Sequence, residues 1–220
     1  MNKTILIAPF DGPVAAALAA EAHAAGWATA LALAGETESR PQKDEPADRL
    51  KSLRLAYNPA SFISVSSMIL QARNTLGSID AAILLGNGMT IQGGFGGDRP
   101  GELGAAVERH SIGPLFVARE LCRIFDQQRA GRILLLAPER PRDAAIGAAA
   151  SLVAGAFEGL GTGLFTMAES APWKAFGIFE SGGAPERVAR FALATLEDPK
   201  ASRAGRWIRH TGKAGIFGAS

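Results

Sequence analysis

Apolar residues fall in two kinds of pattern along this chain. Short runs of β-type composition alternate with longer segments in which apolar positions recur at helical spacing. The runs predict strands near residues 3–8, 27–33, 53–57, 80–86, 131–137, 163–168 and 206–210. The periodic segments predict helices near 13–25, 60–76, 101–128, 143–160 and 185–197. Two helices carry clear boundary signals. Pro59-Ala60-Ser61 opens one, and Gly77 closes it at a C′ position. Gly183-Ala184-Pro185 precedes another, with Val188, Phe191, Ala192 and Leu196 on one stripe. The runs at 80–86 and 131–137 are apolar almost without a break, as parallel strands covered on both faces require. This alternation predicts an α/β fold: a Rossmann-like, doubly wound parallel sheet of about seven strands with helices on both faces. One domain spans residues 1–220, with a polar surface connection at 34–52.

Composition narrows the class. The chain has 220 residues, with 23 Lys and Arg against 21 Asp and Glu, a formal charge of +2. That balance argues against a nucleic-acid or membrane-surface partner. The single cysteine, Cys122, excludes an internal disulfide framework, and with only three histidines no structural zinc pattern forms. A 47% hydrophobic share with 20% charged residues excludes disorder. The first apolar run is cut by Pro9 and Asp11, and no window of about 18 residues is uninterruptedly apolar. The expectation is a cytoplasmic protein without a membrane span.

Several stretches, in order along the chain, resemble the short-chain dehydrogenase/reductase superfamily. Asn58-Pro59-Ala60-Ser61-Phe62, followed by Gly77-Ser78-Ile79-Asp80, resembles its third helix and the exit into strand four. Gly86-Asn87-Gly88 resembles a degraded form of the Asn-Asn-Ala-Gly segment after that strand. Gly131-Arg132-Ile133 resembles the start of the strand that ends at the catalytic Ser. Ala148-Ala149-Ala150-Ser151-Leu152 resembles the start of the helix that carries the catalytic Tyr and Lys, and Pro185 to Arg190 with Gly205-Arg206-Trp207-Ile208 resembles the last helix and strand. The resemblance implies a Rossmann-type domain, NAD or NADP as cofactor and an oxidoreductase ancestry.

The residues implied for the cofactor depart from the family's pattern. The turn after the first strand reads Ala8-Pro9-Phe10-Asp11-Gly12-Pro13-Val14-Ala15, and the three family glycines fall on Pro9, Pro13 and Ala15. Proline removes amide donors where the backbone should approach a pyrophosphate, and Asp11 adds negative charge there. Pro13 still suits a first helical position. Glu36 or Arg40 after strand two could meet a ribose or its 2′-phosphate, and the family's adenine-contacting Asp falls on Leu55. If a nucleotide binds, Gly12, Gly86, Asn87 and Gly88 are the candidate contacts. The expectation is no resident cofactor, with NAD or NADP as the alternative.

The catalytic set departs further. The family's Tyr, Lys, Ser and Asn fall on Ile146, Ala150, Ala137 or Pro138, and His110; without a shortened loop, Tyr and Lys fall on Ser151 and Gly155. An argument free of register is stronger. The sole tyrosine is Tyr57, after the third strand, and no lysine occurs from residue 52 through 173. The Tyr-Lys pair therefore has no counterpart there, and general acid/base work needs a group that exchanges a proton. Only about a dozen residues separate Ala171-Pro172-Trp173 from the last helix, so the family's substrate lid is expected to be short or absent.

Other constellations carry two readings each. Residues 86–104 hold eight glycines, which suit an anion-binding nest or a plain connection. Glu139-Arg140-Pro141-Arg142-Asp143 suits anion binding or a self-neutralised loop. His110 suits proton transfer or, as expected for a helix histidine, a place facing solvent or a partner. The C-terminal residues Lys200, Arg203, Arg206, Arg209, His210 and Lys213 suit a phosphate patch or a solvated edge. No Gly-x-Ser-x-Gly elbow or P-loop occurs. The helix at 143–160 is small and apolar almost all round, which implies burial on more than one face. The resemblance makes helices 101–128 and 143–160 the pair for a homo-dimer, a homo-tetramer or association with an active paralogous subunit. Three readings stand: a catalytically silent structural or regulatory subunit, a divergent NAD(P)-dependent oxidoreductase, and a binder of another small ligand at the carboxyl edge of the sheet.

Overall fold

The structure is a computed structural model that describes residues 3–35, 52–86, 100–139, 147–198 and 205–210. Seven strands form one parallel sheet: β1 (Thr4–Ala8), β2 (Ala28–Ala34), β3 (Ser52–Tyr57), β4 (Ala81–Leu85), β5 (Arg132–Pro138), β6 (Lys174–Glu180) and β7 (Trp207–His210). Their spatial order is β3-β2-β1-β4-β5-β6-β7, so the chain reverses direction across the sheet between β1 and β4. All six pairings are parallel. The doubly wound sheet expected from the alternating runs is therefore present.

The central strands are buried on both faces, and their side chains sort alternately into two cores. Leu6, Ala82, Leu84, Ile133 and Leu135 join one core with α2 (Phe62–Leu76), α4 (Gly113–Gln128) and α5 (Ala148–Ser170). Ile5, Ile7, Ile83, Leu134 and Leu136 join the other with α1 (Gly12–Ala24) and α6 (Pro185–Glu197). Each large aliphatic side chain fully buried this way stabilises the fold by about 1.5–3 kcal/mol. Helix α2 starts and stops where its sequence signals stand. The Ser61 side chain accepts from the Ser64 amide at 3.3 Å, and Gly77 ends the helix at φ +92°.

Three expectations need correction. Residues 163–168 are not a strand but the last part of α5. Gly161, Leu164, Phe165 and Ala168 are buried at spacings of three and four, the helical period, within an apolar run that reads equally well as a strand. The sixth strand is the next segment, 174–180, which leaves only Ser181–Ala184 before α6. No substrate lid fits in that connection.

The helix expected over 101–128 is interrupted. It consists of α3 (Pro100–Val107), a π-helical turn over Glu108–Ile112, and α4. Pro114 lies at the first turn of α4 and has no amide to continue an α-helical ladder, so the backbone widens just before it.

Helix α5 buries one stripe only, through Val153, Phe157, Leu164 and Phe165. Its opposite side leaves Leu152 60% and Met167 54% exposed, so the chain itself covers one face of the helix. By length and composition alone α5 is apolar enough to cross a membrane, which the 18-residue window expectation missed; its inner side packs against β6 and the core side chains above.

Candidate functional site

In open α/β sheets ligands bind beyond the carboxyl ends of the strands, where the strand order reverses. Here that place lies between the β1–α1 turn and the end of β4. The turn is tied down by its own backbone. The Phe10 amide donates to the Ala32 carbonyl at 2.6 Å, which draws the turn over the end of β2. Pro9 and Pro13 have no amide, so three of the turn's positions offer no free donor. Asp11 is the N-cap of α1, yet its carboxylate makes no capping bond and stands exposed at the helix mouth. Gly12 has φ +77° with open space around it, so it serves the turn's conformation. Free amides and positive potential are what a pyrophosphate needs there. This turn supplies few of the first, and the Asp11 carboxylate opposes the second.

Gly86, at the end of β4, has a packing explanation. A β-carbon there would meet the Phe157 ring at 2.6 Å, so the glycine makes room for α5. Asn87 and Gly88, the other candidate contacts beyond β4, lie outside the described residues, as do Glu36, Arg40, Ile146, the Arg140 and Arg142 pair, Lys200, Arg203, Lys213 and most of the glycine-rich stretch. Leu55, where the family's adenine contact falls, is a core side chain.

The positions implied for catalysis divide likewise. Ala137 and Ala150 are buried apolar residues, and Gly155 is exposed on the outer side of α5. Tyr57 is the last residue of β3, 2% exposed, with a hydroxyl that has no hydrogen-bond partner. Burial pushes its phenol well above the usual range, against a smaller opposing pull from Arg109. It is a core side chain.

The structure corrects the expectation for His110. It does not face solvent but is 8% exposed, inside the π-helical turn, with Nδ1 buried and unpartnered. Burial lowers its pKa from the ordinary histidine value; Arg109 adds to that, and Asp11 opposes it. The neighbouring Ser111 hydroxyl is also buried without a partner. Arg109 anchors the turn by donating from Nη2 to the Ala34 carbonyl at 2.7 Å, at the end of β2. Sequence reasoning missed the burial of His110. The signal that was present is Gly113-Pro114, which marks a break in the long helix.

A second polar group lies across the sheet. Ser181 Oγ donates to Glu139 Oε2 at 2.5 Å, and Arg209 Nε pairs with Glu139 Oε1 at 3.2 Å. Glu139 is thus satisfied from β7 and the β6–α6 connection, while its sequence neighbours Arg140 to Asp143 lie outside the described residues. Among the described residues no cluster of metal-ligating side chains forms.

Comparison with solved structures gives the architecture its context. Levodione reductase superposes with a TM-score of 0.78 at 12% identity, covering 96% of each chain. The chain has the fold of the short-chain dehydrogenase/reductases. Two variants of a Serratia marcescens short-chain dehydrogenase/reductase give TM-scores of 0.76 and 0.74 at 16% and 17% identity, again over 96% of each chain. No family model matches the sequence, and no curated protein does. The likeness therefore lies in the course of the backbone over nearly the whole chain.

Proposed function

We propose that this chain is a degenerate, catalytically silent member of the short-chain dehydrogenase/reductase superfamily, acting as a structural or regulatory subunit in a homo- or hetero-oligomer. One observation carries the reading: the sole tyrosine is locked in the core at the end of β3, and no lysine occurs between residues 52 and 173. The α5 positions where the resemblance puts that pair hold Ala150, Ser151 and Gly155. The misfit of the β1–α1 turn to a pyrophosphate supports the same reading.

The partner surface in this proposal is the outer side of α4 and α5, extended by α2. All five large exposed hydrophobic side chains among the described residues, Ile63, Leu70, Leu115, Leu152 and Met167, lie on these three helices, and none lies on α1 or α6. Such one-sidedness suits an interface better than scattered exposure does. On α4, Arg119 and Arg123 share the single nearly buried carboxylate of Glu120, and the exposed Asp126 completes a helix with two charges of each sign. A second copy related by a two-fold axis can bury these apolar side chains against their own counterparts. The same surface suits an active paralogue, and the cytoplasm is the compartment this reading assumes.

His110 favours a second reading, a divergent NAD(P)-dependent oxidoreductase, because a buried histidine at the carboxyl edge can still exchange a proton. Isothermal titration with NAD⁺, NADH, NADP⁺ and NADPH to about millimolar concentration, alongside light scattering, separates the two. The proposal expects no heat with any of the four and a particle larger than one chain. A saturable signal with one dinucleotide transfers the case to the oxidoreductase.

A further inference from the structure

The helix that follows β4 is seated against the far side of the sheet. Gly113, the first residue of α4, meets the connection after β3: a β-carbon there would lie 2.8 Å from Pro59 Cβ. Further along, the rings of Phe116 and Phe62 meet edge to face with centroids 5.6 Å apart. The π-helical turn just before Gly113 is thereby held beside the carboxyl ends of β2 and β3, and it divides its side chains sharply. His110 is buried, and Arg109 beside it is exposed. Arg109 belongs to the β4 side of the reversal, yet its Nη2 donates to the Ala34 carbonyl at 2.7 Å, at the end of β2. The strand order is β3-β2-β1-β4, so this bond joins the two halves of the sheet where the order reverses. Its length is that of a charge-assisted bond, the stronger kind. The acceptor is held in place, because the next amide, Gly35, donates to the Tyr57 carbonyl at 3.0 Å and ties the end of β2 to the end of β3.

In a doubly wound sheet the end of the second strand is where a nucleoside's ribose is read, with its phosphates carried toward the first helix. In this chain that place already has a cation bonded to it. We propose that Arg109 is a built-in occupant of the crevice, a bar from the helix after β4 to the end of β2 that takes the Ala34 acceptor and keeps a nucleoside out. Entry of a nucleoside then requires the bond to Ala34 to break and the guanidinium to swing away. The β1–α1 turn does nothing to offset that loss, since Pro9 and Pro13 lack amides and the Phe10 amide is already given to Ala32. The bar acts by position rather than by charge, so it works against an uncharged nucleoside as well as against its phosphates. The inference rests on the silent-subunit reading, whose crevice it fills from within.

The test titrates the full-length chain with adenosine, which carries no charge, so removing the guanidinium leaves the electrostatic attraction of the ligand unchanged. The native protein, Arg109→Ala and Arg109→Met are compared by calorimetry up to about millimolar adenosine. Circular dichroism confirms the fold of each. Arg109→Met keeps an unbranched side chain without donors or charge, and it stands in if Arg109→Ala fails to fold. The bar expects adenosine to bind the folded variant at least about tenfold more tightly than the native chain, the scale of one charge-assisted bond no longer broken on entry. A smaller gain, or none, overturns it. The silent-subunit reading fails on a different result, a native chain that binds NAD⁺ or NADP⁺. The bar is read from the ratio of variant to native, so the two stand or fall on separate measurements.

Discussion

The ring of Phe157 stands where a side chain on Gly86 would have to be: a β-carbon there would lie 2.6 Å from Phe157 Cδ1 and 2.8 Å from Cε1. The first residue after β4 and the middle of α5 are thus fitted to one another across the carboxyl edge. The ring belongs to the core shared with α2 and α4, so it has little freedom to retreat. Gly86→Ala should destabilise the fold by about 1–3 kcal/mol, as overpacking a filled core does. Phe157→Leu in the same chain should recover a good part of that loss. Chemical denaturation of the two single variants and the double variant measures the coupling. Simple additivity would show that the glycine is there for another reason.

How much of this was legible in the sequence follows from the range of each interaction. Strands β1, β4 and β5 announce themselves because both faces are covered and nearly every residue is apolar. Ser61 and Gly77 are legible because capping chemistry is local. The end of α5 was not, because an apolar stretch such as Leu164-Phe165-Thr166-Met167 has the composition of a strand, and only its packing reveals the helical period. The fit of Gly86 to Phe157 is illegible for a related reason: the two lie about seventy residues apart along the chain.

Cys122 offers a test of how closed that core is. The thiol is buried on α4, and burial together with the nearby Asp126 carboxylate pushes its pKa up to about 12. Only the thiolate reacts readily with alkylating agents. Labelling with iodoacetamide at pH 8 should be slow in the native protein and should become rapid once denaturant exposes the side chain. Rapid native labelling would mean that α4 detaches from the sheet on a short timescale.

The buried histidine predicts a loss of stability in mild acid. Its pKa is lowered in the folded chain, so below the unfolded-state value of about 6.5 the unfolded form takes up the proton more readily. The contribution is fully present above that value and is lost progressively as pH falls toward the folded-state pKa. Unfolding free energies measured between pH 8 and pH 5 should therefore decline, and His110→Asn should flatten the decline. Equal slopes for the two proteins would place the acid sensitivity elsewhere.

The outer face of α5 gives the sharpest test of assembly. Leu152 and Met167 lie fifteen residues apart on the exposed side, about four helical turns, so both can meet one partner helix. Neither contributes to the cores, and a charge placed at either should leave the monomer's stability within about 0.5 kcal/mol of the original. In an interface the same charge is desolvated, and substitution at a central apolar contact costs about 2 kcal/mol or more. Leu152→Glu should therefore weaken self-association by about thirtyfold or more while the thermal transition of the dissociated chain is unchanged. Sedimentation or light scattering over a concentration series reads the first quantity, and circular dichroism the second. If Leu152→Glu and Met167→Glu both leave a native oligomer intact, α5 faces solvent in the assembly, and its apolar outer side needs another explanation.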